Sequence, residues 1–159
     1  MRLALLAVGR EQKRDPLDEA GAEYLKRARS MASSLGLKGP ELRLIAPGKG
    51  SDPQGEAVRL RAVLPGSAVL LDQRGSSWSS EEIAQHIGTL RDGGVSDLAF
   101  CIGGADGFDA VFRDEVTKGG GKLLSFGRAV WPHALCRVML AEQLYRALAI
   151  LSGHPYHRA

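Results

Sequence analysis

Apolar residues along this chain fall in short runs separated by longer amphipathic stretches. The runs Arg2–Val8, Glu41–Ile45, Ser67–Leu71, Asp97–Ile102 and Lys122–Phe126 have strand length and are bounded by polar or turn residues. Between them a helical period predicts helices over Pro16–Ser33, Pro53–Val63, Ser79–Arg91, Asp109–Val116 and His133–Leu151. This alternation predicts the α/β class, with a mainly parallel sheet covered by helices on both faces. Local chemistry supports the boundaries. Asp15 precedes Pro16, a capping carboxylate before a proline at the first helical position. Ser79 and Glu82 have the spacing of a capping box. Pro65-Gly66 and Gly93-Gly94 read as turns, and Gly36–Pro40 as a loop.

The last helix departs from the amphipathic pattern. Leu135, Val138, Met139, Leu140, Leu144, Tyr145, Leu148, Ile150 and Leu151 distribute around nearly its whole circumference. A helix that is apolar all round is buried on more than one side. In a chain of 159 residues, one side is expected to meet the sheet and another a second copy, which predicts a homodimer with an isologous interface. A central helix within a monomer is the alternative. Glu142 and Arg146 stand one turn apart and are expected to pair on the helix surface.

Length and composition suit one compact domain over residues 1–159, with 44% apolar and 25% charged residues. The first apolar run is too short to span a membrane and lacks the flanks of a signal peptide, so a cytoplasmic protein with no membrane partner is expected. Cys101 and Cys136 belong to no Cys/His cluster with metal spacing and read as reduced thiols, so no metal is expected. The net charge of +3 conceals a segregation. Residues 1–50 carry ten Lys/Arg against six Asp/Glu, residues 51–117 five against eleven, and residues 118–159 six against one. The acid-poor final quarter suits an anionic ligand or polyanion, or is a solvated basic face.

Three segments could carry chemistry. Val69–Asp72 ends a strand and leads into the polar turn Gln73-Arg74-Gly75. Phe100–Gly107 ends another in a glycine loop, and Leu124–His133 ends a third. Ligands of open α/β sheets bind beyond the carboxyl ends of strands, so all three segments are expected at one edge. Gly103 and Gly104 lack a Cβ, which permits close backbone approach and positive φ. Their spacing is neither a dinucleotide fingerprint nor a P-loop. The terminus His154-Pro155-Tyr156-His157-Arg158 concentrates stacking planes and phosphate-compatible donors.

Together these features resemble the SPOUT methyltransferases and, within them, the ribosomal pseudouridine-N3 family often called RlmH. The residues that carry the likeness are Leu71-Asp72, Ile102-Gly103-Gly104 with Gly107, and Pro132-His133 leading to Leu135. They continue with Arg137-Val138, the run Ala141–Ala147 and the terminus from His154 to Arg158. The opening strand to Gly9 and Tyr24-Leu25 also fit, so the likeness spans essentially the whole chain. The sequence departs from the family in Ala105-Asp106, where Pro-Glu is common, and in the segment Thr117–Gly121, which reads as a short insertion.

The resemblance implies a single SPOUT domain with a deep C-terminal trefoil knot over about residues 97–153, a homodimer, and S-adenosyl-L-methionine as cofactor. By similarity, Leu71, Gly103, Gly104, Phe126, Gly127, Arg128, Ala129, Val130, Trp131 and Pro132 line the cofactor site, largely through backbone groups. The implied reaction is methyl transfer to N3 of pseudouridine 1915 of 23S rRNA, in the large ribosomal subunit or assembled ribosome. Arg137 is the candidate for anion contact, with His154, Tyr156, His157 and Arg158 for holding RNA, the tail of one subunit acting beside the cofactor of the other. His133 either touches a ligand or caps its helix. The basic segments 1–50 and 118–159 are the expected docking surface. Alternatives are a SPOUT enzyme with another RNA target, a non-catalytic ribosome-associated dimer, and a phosphate- or nucleotide-binding α/β protein using Gly103–Gly107.

Overall fold

The computed structural model describes residues 1–10, 15–50 and 52–157. In chain order the elements are β1 (Arg2–Val8), α1 (Pro16–Ala32), β2 (Lys38–Ile45), α2 (Pro53–Arg61), β3 (Ser67–Ser77), α3 (Ser80–Asp92), β4 (Asp97–Ile102), α4 (Ala110–Lys118), β5 (Lys122–Ser125) and α5 (His133–Ser152). The strands form one sheet in the order β2-β1-β4-β3-β5, every pairing parallel. The expected alternation is therefore present.

Alternate strand residues serve two apolar layers, as a pleat requires. Leu3, Leu5, Ala7, Leu98, Phe100 and Ile102 point to the face covered by α1, α3 and α5. Leu6, Val8, Leu70, Ala99 and Cys101 point to the face where Ala57 and Leu60 of α2 and Phe112 of α4 pack. Burial on that second layer pushes the Cys101 thiol up. Among the described residues no helix is long and apolar enough to cross a membrane.

The helix starts follow their sequence signals. Asp15 accepts from the Leu17 N–H at 2.8 Å, and Ser79 with Glu82 completes a reciprocal capping box. Asp52 caps α2 by accepting from the Gly55 N–H at 3.0 Å, and Asp109 caps α4. The glycine-rich segment after α4 stops that helix, since Gly120 takes a φ of +92° before β5 begins.

Two boundaries differ from the sequence reading. The stretch assigned to a loop, Gly36–Pro40, contains the first residues of β2, because Lys38 pairs with Arg2 and donates its N–H to the Met1 carbonyl at 3.0 Å. Pro40 fits there because β2 is an edge strand, where a missing donor costs little. Gly39 permits the close approach, since a Cβ at that position would lie 2.3 Å from the Leu3 carbonyl oxygen. The second difference concerns β3, which does not yield to a turn after Asp72 but continues to Ser77. Its pairing with β4 stops at Leu71, whereas β5 pairs first with Val69–Leu71 and then, after a register shift, with Ser76 and Ser77.

Helix α5 packs on the sheet between α1 and α3. Its own chain therefore covers Leu140, Ala141, Leu144, Ala147 and Leu148, which accounts for most of its unusual apolarity. Arg137 pairs with Asp18 of α1, and the Ser80 hydroxyl of α3 donates to Gln143 Oε1 at 2.8 Å. Leu135, Val138 and Met139 remain half-buried. Beyond α5 the chain folds back. Tyr156 lies 4.4 Å, ring to ring, from Tyr145 and donates its hydroxyl to Glu142 Oε1 at 3.0 Å. Arg146 pairs with the same oxygen at 2.6 Å and sits over the Tyr156 ring. Burial, followed by the Glu142 carboxylate, pushes the Tyr156 phenol up to about 12, so it remains a hydrogen-bond donor at neutral pH.

Leu144 is fully buried where α5 meets the sheet, so Leu144→Ala is expected to cost about 2–5 kcal/mol of folding stability. Chemical denaturation checks this. A loss below about 1 kcal/mol would mean that the α5 interface closes around the deleted side chain.

Candidate functional site

The order β4-β3-β5 sets three strand ends side by side at the carboxyl edge. There the segments 71–74, 102–107 and 125–131 enclose a cavity of about 360 Å³, with His133 and Cys136 of α5 as a further wall. Each segment is locally fixed. Within β3, just past its pairing with β4, Asp72 accepts from the Arg74 N–H at 2.9 Å, while Arg113 of α4 donates both to Asp72, at 3.5 Å, and to the Phe108 carbonyl, at 3.2 Å. This buried carboxylate thus ties the register-shifted stretch of β3 to the neighbouring helix.

After β4, the Gly107 N–H closes a tight turn on the Gly104 carbonyl at 2.9 Å. A Cβ on Gly103 would lie 3.0 Å from the Gly107 carbonyl carbon, and one on Gly104 would lie 2.2 Å from Glu56 Oε2. Close approach of backbone, not positive φ, therefore favours glycine at 103, whereas at 104 a side chain would displace the Glu56 carboxylate. Positive φ falls instead on Gly107, at +75°. After β5, the Ser125 hydroxyl and Gly127 exchange hydrogen bonds, and the Trp131 indole N–H donates to the Phe126 carbonyl at 3.3 Å. Residues 128–132 are exposed, and the Pro132 carbonyl accepts from the Cys136 N–H at 2.9 Å.

Of the cofactor-site residues expected from sequence, Leu71, Gly103, Gly104, Phe126, Gly127, Ala129, Val130 and Trp131 line this cavity. Arg128 and Pro132 belong to the same loop but not to the lining. Arg137 borders an adjoining cavity of about 260 Å³, which shares Gly104, Ala105, Asp106 and His133 with the first. The terminal residues are not at either cavity of their own chain. His154 is exposed and accepts from the Tyr156 N–H, Tyr156 docks on α5, and His157 Nε2 lies 2.9 Å from Glu81 of α3. Arg158 lies outside the described residues.

Sequence reasoning missed Glu56, whose carboxylate borders the adjoining cavity, and Arg113, which holds Asp72. Nothing in the helical pattern of 53–61 marks Glu56, because a buried acid one turn into a helix reads as an ordinary solvated residue. It also missed Cys136 as a cavity wall, where partial burial raises its thiol pKa. Among the described residues no group of three or more His, Cys, Asp or Glu is placed to share a metal ion.

The chain is 46% identical over 165 aligned residues to a protein of Mesorhizobium japonicum named "Ribosomal RNA large subunit methyltransferase H", with all of both chains covered. A protein of the same name from Hyphomonas neptunium is 45% identical over 161 residues, again with full coverage of both. A S-adenosyl methionine-bound ribosomal RNA small subunit methyltransferase E from Neisseria gonorrhoeae aligns at 10% identity and a TM-score of 0.47, covering 95% of this chain and 66% of that one. The family described as "Predicted SPOUT methyltransferase" matches residues 1–157. Unbroken along the sheet, the cavity loops and α5, that match makes this chain a member of the SPOUT methyltransferase family.

Proposed function

We infer that this chain is an S-adenosylmethionine-dependent methyltransferase of large-subunit ribosomal RNA, acting on N3 of a pseudouridine. The observation that carries the reading is the three-loop cavity at the carboxyl edge, in a chain that matches relatives named ribosomal RNA large subunit methyltransferase H from end to end. The cavity suits the cofactor chemically. The Gly103-Gly104 backbone lines the cavity, and the exposed segment 128–131 brings main-chain donors and acceptors close to where an adenine edge would lie. Leu71, Phe126 and Val130 supply apolar contact. S-Adenosylmethionine carries a methyl group on a positively charged sulfur and so supplies an electrophilic carbon. The protein must then hold the RNA base in line with that carbon and receive the N3 proton.

A homodimer fits this role in the cytoplasm, beside the ribosome. The half-buried Val138 and Met139 of α5 border a groove with Trp78 and Phe126 that a second copy could fill. In that arrangement the His154–Arg158 terminus of one subunit reaches the cavity of its partner, which accords with the place of His154, Tyr156 and His157 outside the cavity lining of their own chain. The knot implied over residues 97–153 is likewise proposed; the double pairing of β5 with β3, and the return of α5 to the α1 side, support it.

Deleting the gene is expected to remove one methylated pseudouridine from large-subunit rRNA, as read by mass spectrometry, and restoring it to return the modification. An unchanged rRNA would overturn the reading. For the tail, His157→Ala is expected to lower methylation about tenfold, the value of one lost stacking or hydrogen-bond contact of about 1.4 kcal/mol, without changing cofactor affinity by calorimetry. Weakened cofactor binding would contradict a substrate role for the terminus.

A further inference from the structure

The cavity adjoining the donor pocket is unassigned by anything above. It lies where β1 and β2 end, between Gly9, Pro47 and Gly50 on one side and Gly104–Asp106 with His133 on the other. At about 260 Å³ it falls just below the ~300–1,000 Å³ typical of drug-sized ligand sites, which suits a single planar base. Its wall toward the donor pocket is Gly104, which has no side chain to separate the two spaces.

Two buried polar groups border this space without a complete set of partners. Glu56 is 7% exposed; its Oε1 accepts from the Gly48 N–H at 3.3 Å, while Oε2 has no hydrogen bond among the described residues and lies against Gly104. His133 Nδ1 is buried with no hydrogen-bond partner. Leaving the His133 nitrogen unsatisfied costs about 1–3 kcal/mol, and a ligand that pairs with it removes that cost. The charged and titratable groups that face Glu56 across the cavity are Arg10, Asp106, His133 and Arg137, with Asp52 at the start of its own helix.

The imide edge of a uracil-type ring presents carbonyl, N–H and carbonyl in sequence. A carboxylate flanked by an imidazole and guanidinium groups offers the complementary acceptor between donors. We propose that this cavity receives the target base and that Glu56 is the catalytic residue that accepts the N3 proton. The inference rests on the methyltransferase reading above. N3 forms a bond to the methyl carbon as that carbon's bond to sulfur breaks, and the bonding pair stays on sulfur. The N3 proton passes to Glu56 Oε2 and leaves later to water. An ordinary carboxylate is a weak base, but an imide nitrogen gaining a methyl group becomes strongly acidic, so the transfer runs downhill during the step. Gly104 then leaves the wall open and leaves the carboxylate its place.

The test is Glu56→Gln in the full chain. Glutamine keeps the shape and an oxygen for the Gly48 N–H, but does not take a proton. Single-turnover methylation of ribosomes is expected to fall about 100-fold or more near neutral pH. Cofactor affinity by calorimetry and ribosome affinity by sedimentation are expected to match the wild type. The variant's rate is expected to climb with unit slope as pH rises, because an imide that ionises in solution no longer needs an acceptor. Full activity in the variant would overturn the proposal, as would a loss that is equal at every pH or accompanied by weaker cofactor binding, the marks of a structural role. If the wild type neither binds S-adenosylmethionine nor methylates, the failure belongs to the underlying functional reading.

Discussion

Parallel pairing of β3 with both β4 and β5 is the constraint from which the site follows. Parallel neighbours end at the same edge of a sheet, so three loops remote in sequence are brought together without any side chain having to attract another. The sheet holds that edge firmly because apolar layers cover both of its faces. Within the edge, Gly103 lets backbone approach backbone, Gly104 leaves room for the Glu56 carboxylate, and the Asp72–Arg113 pair fastens β3 to α4. Affinity for a cofactor would then depend mainly on main-chain geometry, which tolerates varied side chains in residues 126–132.

Much of this was legible in the sequence, for physical reasons. The period of apolar residues separates strands from helices, and the caps at Asp15 and Ser79 act over three residues or fewer, so local pattern suffices. Strand ends carrying Gly103-Gly104 and Leu71-Asp72 were recognisable because ligand loops of α/β sheets have a fixed place. What pattern could not reveal depends on long-range pairing. Lys38–Pro40 looks like a loop, yet becomes strand because β1 supplies a partner. The continuation of β3 to Ser77 depends on β5, nearly fifty residues later in the chain. The all-round apolarity of α5 pointed to a second copy, whereas α1, α3 and the sheet already cover most of it.

The buried acids teach a similar lesson. Glu56 and Asp72 are neighbours of glycine loops only in three dimensions, and each is enclosed by groups from other elements. Asp72 has its full complement of donors and serves structure. Among the described residues Glu56 keeps one oxygen uncommitted beside a cavity, which is the arrangement expected of a group that handles a proton. Hydrogen-bond satisfaction, more than burial, separates the two roles.

The most direct measurement of the central claim is amide hydrogen exchange with and without S-adenosylmethionine. Exchange is expected to slow in residues 71–75, 103–107 and 126–131 together, with β2 at the far edge unchanged. Protection confined to one of these loops, or appearing elsewhere on the protein, would contradict it.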